Sequence, residues 1–346
     1  MASNPSQSSS RRHHYVPQLI LRRFADKNKK GEYQIKIFDK QTNKEYLSNV
    51  RDAMVITDFH TLAVEGGLIE LENYVTSIED RAAPIIAKIL DNESINNISK
   101  EDHVNLSRFI ALQFCRTVHH RTLFEEASKE LSIVLADKTG FADFKELIVS
   151  SDDAKLMSFK SMTSELPGYT SIMASKDMIL LKSPPGSEFI IGDNPASLWN
   201  DRPSNFFSNI GLSCVGIQIF LPLSSQYTLG LWCPSIKSEF IEKRRDAKRN
   251  LGNLRAQSCL AVTPIKVPPE LEANLNSQIS ILEPLIAALE TGHPLSIEAP
   301  YVTRLNSLQI KHAERFIGSK SGDFELLHKM LEDDTSYRTG PRMKVM

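Results

Sequence analysis

Apolar and polar residues alternate over residues 32–39 (Glu-Tyr-Gln-Ile-Lys-Ile-Phe-Asp), the period of a half-buried strand. The polar run at 39–44 reads as a turn, and 45–47 begins the return strand of a hairpin. Residues 58–62 read as another short extended piece, while 18–24 fit either a short helix or an extended segment. The spacing then becomes helical. Over 69–90, Leu71, Val75, Ile78, Ala82, Ile85, Ile86 and Ile89 recur near one face. A second helix is expected from Ser99, whose hydroxyl can cap the first turn while Asp102 occupies the capping-box position. Residues 124–136 continue in helical spacing, and 140–169 read as helix mixed with loop.

From Met178 the period returns to that of strands: 178–181, 188–191, 216–222, 227–232 and 260–262 are short, apolar and bounded by Pro, Gly, Ser or Asn. A charged helix is expected to interrupt them at 240–257, and a proline-rich boundary at 264–269 precedes helices over 271–289 and 301–317. Residues 1–10 read as a disordered leader and 318–346 as a polar tail. No internal repeat is present. This order predicts an α+β fold: an N-terminal β-hairpin, central helices, an antiparallel or mixed sheet, and C-terminal helices from about 270. Residues 11–317 are expected to form one compact unit.

Composition narrows the function classes. Of 346 residues, 41% are hydrophobic and 24% charged, enough for a substantial core. With 41 basic against 42 acidic residues the formal net charge is -1, so general coating of polyanions is excluded and any nucleic-acid contact must come from local clusters. One cluster is Arg11, Arg12, Arg22 and Arg23; the other is Lys243, Arg244, Arg245, Lys248 and Arg249, which reads better as a solvated helix face. The four cysteines form no CxxC pair, which argues against a zinc knuckle or a disulfide framework. No apolar run approaches the roughly 18 residues of a membrane span, and 1–10 lack a signal-peptide core, so a cytoplasmic protein with no membrane partner is expected.

Four polar constellations carry candidate chemistry. The first is Arg11-Arg12-His13-His14-Tyr15-Val16-Pro17-Gln18, two adjacent imidazoles flanked by arginines, with Pro17 biasing Val16 towards an extended backbone. Its bland alternative is a mobile tail. The second is Glu72 and Glu79, seven residues apart and so on one helical stripe, either buried and paired or lying at the rim. The third is Gln113, Arg116 and His120 on a face shared with Phe109, where the arginine can fork onto a phosphate or simply bridge to Glu72 or Glu79. The fourth is Gly192-Asp193-Asn194-Pro195 after an apolar strand, placed for chemistry but equally a common turn formula.

In this order the constellations resemble an uncharacterised bacterial family, domain of unknown function 4238. The resemblance rests on His13-His14-Tyr15-Val16-Pro17-Gln18 with Leu21 and Phe24, Glu72 and Glu79, the run from Phe109 to Thr117, Phe189 to Pro195, Pro222-Leu223-Ser224, and Asn306 with Ala313. Gly192 departs from the pattern, since related chains more often carry serine or threonine there. The resemblance implies no established reaction; it suggests a defensive effector against phage that acts by abortive infection.

The enzymatic expectation is a nuclease acting on RNA or DNA. Its catalytic set would be His13, His14, Glu79, Gln113, Arg116, Asp193 and Asn194, with His14 as general base or acid and Arg116 on the scissile phosphate. Glu79 and Asp193 would bind Mg or Mn, and Arg11, Arg12, Arg22 and Arg23 would contact the nucleic acid. The competing expectation is a non-enzymatic protein that senses a phage-derived trigger, its polar cluster being structural or a recognition pocket. A nucleotide-directed enzyme lacks a P-loop or GxGxxG fingerprint.

Overall fold

The computed structural model describes residues 11–64, 67–139, 144, 147–202, 211–260 (side chains to 257) and 268–342. The expected leader at 1–10 lies outside the described residues, as does the strand expected at 260–262 apart from Leu260, which ends a helix. The architecture is mixed α+β. The predicted hairpin forms from Tyr33–Asp39 and Lys44–Asn49, turning at Asn43, whose φ of 58° is a left-handed conformation that asparagine tolerates. Tyr33–Asp39 also pairs with Asp26–Lys27 and with Phe316–Ser319, which pairs in turn with Ile191–Gly192. A second sheet runs Ser197–Trp199, Gln218–Pro222, Tyr227–Trp232, Asp177–Lys182, Leu295–Ser296, antiparallel except for the last pair. Every residue of Gln218–Pro222 and Tyr227–Trp232 is buried, which is why those strands read as continuous apolar runs.

Helix Lys100–Cys115 starts as its sequence predicts. The Ser99 hydroxyl accepts from the Asp102 amide and the Asp102 carboxylate from the Ser99 amide, both at 3.0 Å. The helix then breaks at Arg116, and Val118–Thr139 is a separate helix, so Gln113, Arg116 and His120 do not share one face as expected. Glu72–Asp91 packs beside it, burying Val75, Ile78, Ala82, Ile85, Ile86 and Ile89. The basic run on Pro234–Leu260 is a solvated face: Lys243 pairs with Glu239, Arg249 with Asp246, and Lys248 with Glu283 of helix Pro269–Thr291. Among the described residues, no helix is long and apolar enough to cross a membrane.

Three expectations are corrected, each by a contact that crosses more than a hundred residues. The strand expected at 188–191 survives only as Ile191–Gly192, because the Asn306 side chain takes the place of a neighbouring strand. Its amide oxygen accepts from the Ile190 amide (3.1 Å) and its nitrogen donates to the Glu188 carbonyl (2.8 Å). The helix expected at 301–317 is Ala299–His312. There the fully buried Lys40 ammonium donates to the Ile310 and Ala313 carbonyls (2.7 and 2.6 Å), ending the helix, and residues 316–319 turn into the sheet. The expected polar tail is also structured: Phe316–Ser319 is an inner strand, and helix Glu325–Asp333 buries Leu327, Met330 and Leu331 beside Phe38, Ile190 and Ile310.

The tail is strapped down by Arg342, which forms an ion pair with the buried Glu314, itself 3.3 Å from His119 Nδ1. Burial alone would raise the Glu314 pKa, but the hydrogen bonds from His119 and Arg342 hold it at about 2. The folded value lies below the unfolded one, near 4.5, so the strap stabilises the fold above that pH and loses its effect as pH falls from about 4.5 to about 2. The shift corresponds to about 3 kcal/mol, and Glu314→Gln should remove that part of the acid dependence in urea titrations at pH 3 and 7.

Candidate functional site

The His pair is not on a mobile tail. Arg12–His14 forms a two-stranded ribbon with Val55–Thr57, in the register His13 opposite Ile56 and His14 opposite Val55. The Tyr15 amide donates to the Met54 carbonyl, and Pro17 leads into the short helix Gln18–Leu21. Arg11 pairs with Asp58 (2.6 Å) and Arg12 with Asp52 (2.7 Å), both at the surface. Adjacent residues of a strand face opposite ways, so the two imidazoles have different surroundings.

His13 is buried and stacks on His60, with ring centroids 5.2 Å apart and planes 10° from parallel. Its Nδ1 accepts the backbone N–H of His60 at 2.8 Å, which leaves the proton of a neutral ring on Nε2. His60 is fully buried; its Nδ1 lies 2.7 Å from Glu72 Oε2, and its Nε2 has no hydrogen-bond partner. Burial pushes the His60 pKa down to about 4, against the pull of Glu72. Burial would raise Glu72, but the bond with His60 holds it below the ordinary carboxyl value. The pair is therefore a neutral imidazole donating through Nδ1 to an ionised carboxylate. Behind it, the Arg121 guanidinium lies 3.5 Å from the Phe59 ring centroid and donates to the Phe59 carbonyl; burial lowers its pKa to about 10.

His14 is half-buried. Its Nε2 donates to the Val50 carbonyl (3.2 Å), so a lone pair remains on Nδ1, loosely covered by the Gln18 amide at 3.5 Å. Burial lowers its pKa, partly offset by the bond to Val50, and the nearby Arg116 charge lowers it further. Arg116 is fully buried at the break between its two helices. Its Nη1 donates to Glu79 at 2.5 Å. With the Gln113 amide assigned so that its oxygen faces the guanidinium, Gln113 accepts from Arg116 Nε and Nη2. Gln113, Arg116 and Glu79 thus form one knot, and the Arg116 charge acts on His14, His60 and Glu72.

Asp193 and Asn194 do not join this group. Asp193 Oδ1 accepts from the Glu314 amide (2.6 Å) and Oδ2 from those of Arg315 (2.9 Å) and Phe316 (3.0 Å). Burial pushes its pKa up to about 6, while these amides and Lys40 pull it down. Asn194 donates to the His312 carbonyl. The expected metal pair of Glu79 and Asp193 is therefore corrected: one carboxylate faces Arg116, the other three amides. Gly192 has no room for a side chain, since a Cβ would lie 2.9 Å from the Gln309 carbonyl oxygen and 3.0 Å from Ala313 Cβ. Arg22, which donates to Gln18, and Arg23 line a cleft with Tyr33, Asp91, Glu93 and Lys320.

Sequence reasoning placed Glu72 on the right stripe but left it and His60 out of the catalytic set. A histidine inside Asp58-Phe59-His60-Thr61 has no local signature, and only the pairing of Arg12–His14 with Val55–Thr57 brings it to His13. Among the described residues, His13, His60 and Glu72 are the one group of three or more His, Cys, Asp or Glu side chains whose donor atoms converge, all within 4.8 Å of one another.

A family model described as "Protein of unknown function (DUF4238)" matches residues 12–323. No curated protein and no solved structure matches the chain.

Proposed function

Since this chain belongs to the DUF4238 family, whose description names no activity, we propose a function from the site itself: a nuclease that cleaves RNA or DNA as an effector of defence against phage. One observation carries the reading. One buried guanidinium, bonded to Glu79, acts by its charge on His14, His60 and Glu72, while His13 stacks on His60, so three imidazoles and two carboxylates from three segments are joined in one cluster.

Within the reading, His14 is the base, because its tautomer leaves an Nδ1 lone pair covered only by the Gln18 amide at 3.5 Å, and its lowered pKa keeps it neutral at pH 7. It takes a proton from the attacking water as the water oxygen bonds to phosphorus. The phosphorus–oxygen bond to the departing strand breaks, and the proton is returned to that oxygen. Arg116, with Glu79 and Gln113 on its donors, acts through its field and holds the two helices; it is not a phosphate clamp. Arg11, Arg12, Arg22 and Arg23 would meet the nucleic-acid backbone, Arg11 and Arg12 by exchanging their exposed aspartates for phosphates, which makes binding steeply salt-dependent.

The same knot favours a second reading. A fully buried arginine with carboxylate and amide partners is also what a non-enzymatic phage sensor would use to fix a recognition surface. Incubating the purified chain and His14→Ala with RNA and with DNA, each with Mg2+ or Mn2+, separates the two. The nuclease reading expects cleavage by the parent and a loss of at least a hundredfold in the variant. No cleavage by the parent, with phage protection retained in cells by both proteins, overturns it in favour of sensing.

A further inference from the structure

We propose that His13, His60 and Glu72 form a binding site for one divalent transition-metal ion of the zinc or manganese type, a site independent of whether the chain is a nuclease. The three side chains come from three separate segments, yet their donor atoms lie within 4.8 Å of one another. Two imidazoles with one carboxylate suit zinc, manganese, iron, cobalt or nickel, whereas magnesium and calcium prefer sets of oxygen ligands. The donor set thus differs in chemistry as well as position from the carboxylate pair expected from the sequence.

Two structural observations point to an ion. His60 is fully buried, and its Nε2, the ring nitrogen that does not face Glu72, has no partner, so it can take an ion without giving up a hydrogen bond. Glu72, by contrast, has a side chain 30% exposed at the first turn of its helix. It gives the site an edge open to water and a ligand free to turn inward. Three protein donors with an open side are the arrangement of sites that keep a position for water or substrate, and an ion there would lower the pKa of a water molecule at that position.

Binding has a definite structural requirement. Bonds of about 2.0–2.1 Å place tetrahedral donors about 3.4 Å apart, so the 4.8 Å spread must contract. The lone pair of His13 Nδ1 is now held by the His60 amide, and a ring nitrogen cannot serve both partners. Ligation through that atom releases the amide, and the His60–Glu72 hydrogen bond must rearrange as well. The hydrogen bonds given up are offset by the metal–ligand bonds that replace them.

The test is metal binding by the intact chain. The protein, stripped with chelator and dialysed against Zn2+, Mn2+ or Mg2+, is assayed by elemental analysis, and Co2+ replaces Zn2+ to give an absorption spectrum of nitrogen ligation. One equivalent of Zn2+ or Mn2+ is expected, with Mg2+ at background. Glu72→Gln, a conservative change at a part-exposed position, should weaken binding at least tenfold; His60→Ala should abolish it, and the exposed His293→Ala should leave it unchanged. No bound transition ion in the parent, or equal affinity in Glu72→Gln, overturns the site. Bound metal without nucleic-acid cleavage leaves the site standing and removes the nuclease reading. Cleavage by chelator-treated protein that binds no ion does the reverse.

Discussion

Asp193→Asn should destabilise the fold by about 3–5 kcal/mol, the scale seen when a buried charged partner is removed from its hydrogen bonds. The Asp193 carboxylate accepts three backbone N–H groups from Glu314, Arg315 and Phe316. Asparagine offers one oxygen, so its NH2 must face at least one amide as donor against donor. The group is buried, and water cannot relieve the mismatch. Chemical denaturation at pH 7.5 gives the measurement. The stretch after His312 should also lose protection from hydrogen exchange before the rest of the molecule, because Asp193 is what turns that stretch into Phe316–Ser319. A loss below 1 kcal/mol would mean that the three amides are held by something else.

Glu79→Leu should cost about 3–5 kcal/mol, because it leaves the Arg116 guanidinium, fully buried, without its carboxylate. Arg116→Met should cost less, since the Glu79 side chain retains 22% exposure and can turn to water. The double variant Arg116→Met/Glu79→Leu should recover a large part of the loss, as apolar replacements of buried ion pairs commonly do. The cycle thus gives a coupling of about 1–3 kcal/mol between positions 79 and 116. Removing Arg116 should also raise the pKa of both His14 and His60, which its charge depresses, and histidine titration by NMR reads this directly. Additive losses and unmoved titrations would show that the knot has no influence on the imidazoles.

Features set by neighbours in sequence were legible. The alternation at 32–39 and the polar turn gave the hairpin, and Ser99 with Asp102 gave a complete capping box. The seven-residue spacing of Glu72 and Glu79 did bring both carboxylates to the same cluster. What escaped was settled by side chains that replace backbone partners across long separations. Asn306 substitutes for a strand beside 188–190, and Asp193 with Lys40 converts the end of an apparently continuous helix into a strand. Apolar spacing carries no trace of either, because the residues it counts are buried in both conformations. His60 escaped for a related reason: its role depends on a ribbon formed between residues more than forty positions apart. Asp193 and Asn194 were read as chemistry where the turn reading was the better one, their polar atoms being turned onto backbone.

The position of Phe316–Ser319 has a consequence for synthesis. This strand lies between Tyr33–Asp39 and Ile191–Gly192, so an inner member of the sheet leaves the ribosome only after both strands it separates. Until it emerges, the first hairpin has one unpaired margin, and the nascent chain must keep that margin from pairing with a neighbour while the segments between them are made.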